Sequence, residues 1–262
     1  MLVPVESGLL IEERRRRICE LLLEEGRVTV EALATRFGTS QVTIRADLSA
    51  LESAGALIRT HGGALPPEEA TDEPLGVKQL QHHAEKVRIA QAAVALIRDG
   101  ETIILDSGTT TAEIARAIRK ADLKFVNVIT NALNVAALLM DVASVRLIMP
   151  GGILRQESNS LSGPMAEAAL ANLQADRLYL GADGLDPEIG VMTPHLQEAE
   201  LNAKMMRISR QVVVVADSSK LIRRNISLIA KVEQIHLLIT DRAAPLQAIE
   251  ALRRRGVEVQ LV

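Results

Sequence analysis

The chain has 262 residues, 48% of them hydrophobic and 1% aromatic, with a formal net charge of −3. A single cysteine and the absence of tryptophan argue against a disulfide scaffold, a thiolate metal cluster and the aromatic stacking surfaces of single-strand nucleic-acid binders. The length suits a small domain joined to a medium one, each burying a core of Leu, Ile, Val, Ala and Met.

The first residues lack the basic start, apolar run and cleavage site of a signal peptide, and no apolar stretch reaches bilayer-spanning length. A soluble cytoplasmic protein without a membrane partner is expected, with Cys19 as a small semi-buried hydrophobe beside Ile18 and Leu21. Bulk charge does not announce nucleic acid. Within residues 1–65, Arg14 to Arg17, Arg27, Arg36, Arg45 and Arg59 are outnumbered by Glu6, Glu12, Glu13, Glu20, Glu24, Glu25, Glu31, Asp47 and Glu52. Every cation before Lys78 is nevertheless an arginine, the side chain suited to bidentate phosphate and guanine contacts.

In chain order, Leu9 to Glu25 reads as a helix with Ile11, Ile18, Leu21 and Leu22 as its apolar stripe and Gly26 as its stop. Val28 to Val30 is a brief extended piece. A second helix, Glu31 to Phe37, buries Leu33, Ala34 and Phe37 and ends at Gly38. Ser40 is placed to N-cap a third helix, closed by Gly55, in which Ile44, Leu48 and Leu51 repeat at spacings of four and three. Ala56 to Thr60 and His61 to Ala64 suggest a short β-hairpin, the wing of a winged helix. Between Leu65 and Val77, Pro66, Pro67 and Pro74 stand among Glu68, Glu69, Asp72 and Glu73 with no basic residue, as in a solvated linker. The expected organisation is a DNA-binding domain over residues 1–65, a linker over 66–77 and a second domain over 78–262.

On the third helix, with Ile44, Leu48 and Leu51 inward, Val42, Ala46 and Ser49 point almost directly away. Small outward residues let a recognition helix approach base edges while Gln41, Thr43 and Arg45, with Ser40 at the helix start, reach bases and phosphates. Arg59, His61 and Gly62 in the wing, and Arg14 and Arg15 in the first helix, are candidate phosphate contacts. An arginine run that simply faces water is the bland alternative for Arg14 to Arg17.

From Lys78 the pattern alternates: a helix to Arg98, then strand 102–105, helix 109–119, strand 125–129, helix 134–140, strand 145–149, helix 164–173, strand 178–180, helix 196–209 and strand 212–215. Strand 235–239, helix 245–255 and strand 257–262 follow. Near-continuous apolar strands between helices predict a mainly parallel sheet covered on both faces, with ligands beyond the carboxyl ends of its strands. There Asp106-Ser107-Gly108-Thr109-Thr110 precedes a helix, an arrangement suited to an anion at a helix N-terminus, or to an ordinary helix cap. Thr130-Asn131, Gly151-Gly152 and Gly181 to Gly184 follow other strands and are expected at the same rim, with Glu198 and Lys220 able to join them.

The run Val28-x-Val30-Glu31-x-Leu33-Ala34-x-x-Phe37-x-x-Ser40-x-x-Thr43-Ile44-Arg45-x-Asp47-Leu48-x-x-Leu51-Glu52, continued by Arg59-x-His61-Gly62-Gly63-Ala64, resembles the DeoR family of transcriptional regulators. Within it the chain is most similar to AgaR-type repressors of amino-sugar utilisation, down to Leu252-Arg253-x-x-Gly256-Val257-Glu258-Val259. The resemblance implies a repressor of a carbohydrate operon, bound as a homodimer or homotetramer to double-stranded operator DNA and released by a phosphorylated sugar. It also implies an α/β sensor domain similar to ribose-5-phosphate isomerases. By this resemblance Ser107, Gly108, Thr109 and Thr110 bind phosphate, and Asp106, Asn131, Asp183, Glu198 and Lys220 address sugar hydroxyls or an amino group. Thr130, Gly151 and Gly152 also match the family's positions, and Arg155 is a further phosphate candidate. Galactosamine 6-phosphate, its N-acetyl form and other phosphosugars all remain open.

Two other readings stand beside this one. Asp183, Glu198 and Lys220 are chemically capable of aldose-ketose isomerisation, but the glycine-rich lysine loop of the isomerases is absent and no enzyme is expected. A sugar-phosphate-binding protein acting through a protein partner is the other. No cofactor or metal is expected, since His82-His83 and the pair His195 and Glu198 lack further ligands nearby in sequence.

Overall fold

The computed structural model describes residues 9–53, 56–60, 62–65 and 75–262, and the chain divides into two compact units, Met1–Gln81 and His82–Val262. Gly55, His61 and residues 66–74 of the expected linker lie outside the described residues.

The first unit is built on helices α1 (Ile11–Glu25), α2 (Val30–Phe37) and α3 (Gln41–Ser53), with strands β1 (Val28–Thr29), β2 (Ile58–Thr60) and β3 (Gly63–Leu65). Each start and stop has a local cause. Gly26 and Gly38 end α1 and α2 in the left-handed conformation that favours glycine. The Thr29 hydroxyl caps α2 by accepting from Ala32 N at 3.2 Å, and the Ser40 hydroxyl caps α3 by accepting from Thr43 N at 3.1 Å. The expected extended piece supplies the third strand of a β1-β3-β2 antiparallel sheet. At Gly63 a Cβ would fall 1.9 Å from the Val28 carbonyl oxygen, so close pairing of β1 and β3 requires glycine there. Ile18, Leu21, Leu22, Leu33, Phe37, Ile44, Leu48 and Leu51 form the core. Ile11, expected in the α1 stripe, is exposed. Helix α4 (Leu75–Leu80) begins within the stretch read as linker.

In the second unit, α5 (His83–Val94), β4 (Thr102–Leu105), α6 (Thr109–Ile118), β5 (Val126–Thr130), α7 (Leu133–Leu139) and β6 (Val145–Ile148) alternate as expected. The single helix expected from Lys78 to Arg98 is interrupted at His82, whose φ of 49° breaks the helical path. After β6 come the hairpin β7 (Ile153–Arg155) and β8 (Ser160–Ser162), α8 (Pro164–Leu170), β9 (Ala175–Gly181), β10 (Gly184–Asp186), β11 (Gly190–Thr193) and α9 (Leu196–Arg207). The chain finishes with β12 (Ser209–Val215), β13 (Ser227–Lys231), β14 (Leu237–Thr240), α10 (Leu246–Arg254) and β15 (Glu258–Leu261).

Seven strands form one parallel sheet in the order β15-β14-β12-β9-β4-β5-β6. Alternate residues serve opposite faces. Ile103, Leu105, Tyr179, Val213 and Ile239 pack with α5, α6 and α7, whereas Ile104, Leu178, Leu180, Val214 and Leu238 pack with α8, α9 and α10. Tyr179 is fully buried, and its hydroxyl donates to the Ala93 carbonyl at 2.8 Å. The β7–β8 hairpin and the antiparallel sheet β10-β11-β13 were not expected from sequence.

Candidate functional site

On α3, Val42 is 73% exposed and Gln41, Arg45 and Ala46 are also exposed, so the surface expected to read DNA is open. Arg45 Nη2 donates to Gln41 Oε1 at 3.2 Å, which sets these two long side chains side by side. The Ser40 and Thr43 hydroxyls lie 2.9 Å apart. Arg59 Nη1 donates to the Ser49 hydroxyl at 2.7 Å, tying β2 to the far half of α3. Gly62 is exposed in the turn of the wing.

Arg14 and Arg15 occupy a different setting. Arg14 Nε donates to Asp47 Oδ2 at 2.6 Å and Arg15 Nε to Asp47 Oδ1 at 3.1 Å, and the side chains of Arg14 and Asp47 are only 11% and 3% exposed. Asp47 sits in the buried stripe of α3 with Ile44, Leu48 and Leu51. Both arginines therefore join α1 to α3 through a shared buried carboxylate. Arg15 also reaches Glu12.

In the second unit the polar residues gather where the parallel strands end. Leu105 of β4 is in register with Thr130 of β5, so Asp106 and Asn131 leave neighbouring strands side by side. Ser107, Thr109 and Thr110 are nearly closed to solvent at the start of α6, whose first backbone N–H groups have no intrahelical acceptor. Thr130 is buried, and its hydroxyl accepts from Ala132 N at 3.1 Å. Gly151 and Gly152 turn the chain from β6 into the hairpin with positive φ. At Gly152 a Cβ would lie 2.6 Å from the Ser162 carbonyl oxygen. The hairpin is fastened to β5 through Asn131: Leu161 N donates to its carbonyl at 2.8 Å and its Nδ2 donates to the Leu161 carbonyl at 3.0 Å.

That fastening brings Arg155 to the rim. Its Nη1 lies 3.4 Å from Glu198 Oε2, its Nε 3.7 Å from Glu157, and its Nη2 donates to His195 Nε2 at 2.8 Å, so the imidazole accepts through that nitrogen. Asn131, Arg155 and Glu198 line a cavity of about 340 Å³ together with Ser160, Ser162, His195 and Ile226. Ser107 to Thr110, Gly151, Gly152, Asp183 and Lys220 do not line this cavity. Asp183 Oδ2 accepts from the Thr193 hydroxyl at 3.2 Å, and Lys220 is buried in a short helical turn after β12.

Asp106 Oδ2 accepts from Asn202 Nδ2 at 3.5 Å, and burial, then the charges of Glu198 and Asp183, push its carboxyl well above the usual aspartate range. Sequence reasoning missed Asn202, and it considered His195 for a metal before preferring solvent exposure or a ligand hydrogen bond. The signal for Asn202 was its place four residues after Glu198, on one face of α9.

Residues 14–70 match the model of the DeoR-like helix-turn-helix domain, and residues 81–242 match that of the DeoR C-terminal sensor domain. The chain belongs to the DeoR family. It is 43% identical over 253 residues to the putative aga operon transcriptional repressor of Escherichia coli O157:H7, covering 95% of this chain and 93% of the relative. It is 37% identical to the HTH-type transcriptional regulator GlpR of Haloferax volcanii, covering 96% and 98%. Among solved structures, ribose 5-phosphate isomerase A from Methanocaldococcus jannaschii aligns with a TM-score of 0.41 at 22% identity, covering 54% of this chain and 56% of the other. Among the described residues, no helix is long and apolar enough to cross a membrane.

Proposed function

We propose that this DeoR-family chain is a transcriptional repressor of a carbohydrate-utilisation operon, released from its operator by a phosphorylated sugar bound at the strand ends of the sensor domain. The observation that carries the first half is the open surface of α3, where Gln41 and Arg45 flank the small side chains of Val42 and Ala46. In this reading Ser40, Gln41, Thr43 and Arg45 meet the major groove, and Arg59, His61 and Gly62 approach the phosphate backbone. A homodimer would present two such helices to a two-fold operator in the cytoplasm. Arg14 and Arg15 hold α3 in place rather than touching DNA.

In the sensor domain, the start of α6 from Ser107 to Thr110 receives the phosphate, where aligned N–H groups and the helix dipole favour an anion. Asp106, Asn131, Asp183, Glu198 and Lys220 face the sugar. The domain binds and does not catalyse, in keeping with relatives named as repressors.

The test is an operator-binding assay on DNA upstream of the chain's own gene, at stated salt, with and without galactosamine 6-phosphate, its N-acetyl form and other hexose phosphates. One of them is expected to weaken binding about 5–150-fold, the range of ordinary allosteric couplings. Unchanged affinity across the panel would overturn the effector half. Absence of salt-dependent binding to that DNA would overturn the operator half and favour a protein partner.

A further inference from the structure

The arginines of the first unit differ in what holds them. Arg14, Arg15, Arg17 and Arg36 are each engaged by a carboxylate, that of Asp47, Glu20 or Glu25. Arg45 and Arg59 are held by neutral groups instead, the Gln41 side-chain oxygen at 3.2 Å and the Ser49 hydroxyl at 2.7 Å. Among the described residues, no carboxylate pairs with Arg59. A neutral anchor fixes a guanidinium without cancelling its charge. Arg59 also has donors to spare, since only Nη1 meets Ser49 and Nε is buried with no partner.

The fold accounts for this placement. Arg59 stands opposite Ala64 across the β2–β3 pair, so the two side chains leave the same face of the small sheet, and Ala64 is 1% exposed in the core of the unit. Arg59 is accordingly half-buried between the exposed Ile58 and Thr60. Its stem runs along the packed side of the wing toward α3, and its head surfaces at Ser49. Ser49 lies on the outward side of α3, four residues after Arg45 and three after Ala46, so it neighbours both on the helix surface. The open face of α3 therefore carries a second guanidinium that belongs to the wing, one turn beyond Arg45.

We propose that Ser49 is a positioning residue for operator DNA: its hydroxyl sets the Arg59 guanidinium at the edge of the α3 reading face, where it neutralises a backbone phosphate beside the groove that α3 enters. Without that hydroxyl the guanidinium regains the rotamer freedom of its long stem, and the phosphate contact must bear the entropy of ordering it. The proposal rests on the operator reading above and adds to it a residue that acts through Arg59.

The test is an anisotropy titration of the full chain on labelled DNA from upstream of its own gene, repeated across a salt series. Ser49→Ala is expected to weaken binding about three- to tenfold, the worth of one hydrogen bond. It is also expected to reduce the slope of log affinity against log salt by about one phosphate contact, a change that a merely structural role would not produce. Ser49→Thr keeps the hydroxyl and is expected to restore both. Because Ser49 acts through Arg59, adding Ser49→Ala to Arg59→Gln is expected to change nothing further. An unchanged slope in Ser49→Ala, a Ser49→Thr variant as weak as Ser49→Ala, or effects of Ser49→Ala and Arg59→Gln that add would each overturn the proposal and leave the operator reading standing. Absence of salt-dependent binding by the unmodified chain overturns both.

Discussion

In the winged-helix unit the buried carboxylate of Asp47 meets two guanidinium groups, whereas in the sensor unit the buried carboxyl of Asp106 meets the Asn202 amide at 3.5 Å, the Gly181 backbone N–H and the field of two further carboxylates. The sequence shows both as an aspartate near the end or within the apolar stripe of a regular element. The difference lies in the partners. A buried carboxylate with its counter-charges in place holds elements together, while one without them is pushed toward its protonated form.

The sharpest way to break the comparison is Asp47→Ala, which leaves two arginines facing each other at the α1–α3 junction. Loss of one partner from a buried ion pair is expected to cost the first unit about 3 kcal/mol or more. Hydrogen exchange should show that loss as reduced protection in α1 and α3, with the sensor unit unchanged; full protection would mean that Asp47 is dispensable.

Next in size is Arg45→Ala. Arg45 is exposed on α3, so the fold should keep its stability while operator affinity falls by about 1–3 kcal/mol through lost base contact. Retained specific binding in a fluorescence-anisotropy titration would remove Arg45 from the reading surface.

Asp106→Asn acts in the opposite direction. Because the folded-state pKa is raised above the unfolded one, the folded chain holds a proton that the unfolded chain releases, and stability falls as pH rises from the ordinary aspartate range toward the raised value. The substitution should therefore stabilise the ligand-free sensor unit at pH 7, with the gain fading near the ordinary aspartate pKa of about 4. Thermal unfolding across that pH range measures it, and a variant less stable at pH 7 would contradict the reading.

The smallest expected effect concerns Cys19. Its burial in the α1 core pushes the thiol up to about 12, so a thiol-specific reagent at pH 8 should leave the native chain unmodified and label it only after unfolding.

The elements legible from sequence were those with local causes. Gly26, Gly38 and Ser40 announced the helix boundaries of the first unit, and the apolar runs at 102–105 and 212–215 announced buried parallel strands. Arg14 and Arg15 were read by sign alone, because their partner stands more than thirty residues away. A clue existed in Asp47 itself, which lies three residues after Ile44 on the apolar face of α3. The β7–β8 hairpin and the β10-β11-β13 sheet stayed hidden because their strands are short and, in the pairing of Gly190 with Lys231, drawn together from distant parts of the chain. Arg155 and His195 met only through that tertiary folding.

The position of Tyr179 has a practical consequence. With no tryptophan and one tyrosine in the chain, absorption in the tyrosine band and tyrosine emission come from a single ring at the centre of the sensor sheet. Its own carbonyl accepts from the Asp106 amide at 3.3 Å, so the chromophore is one hydrogen bond from the candidate ligand site. Burial pushes its phenol up to about 12, which keeps the ring in one ionisation state throughout the range of ordinary buffers. The molecule thus carries its own optical reporter, readable by near-ultraviolet circular dichroism in the tyrosine band without attaching a label.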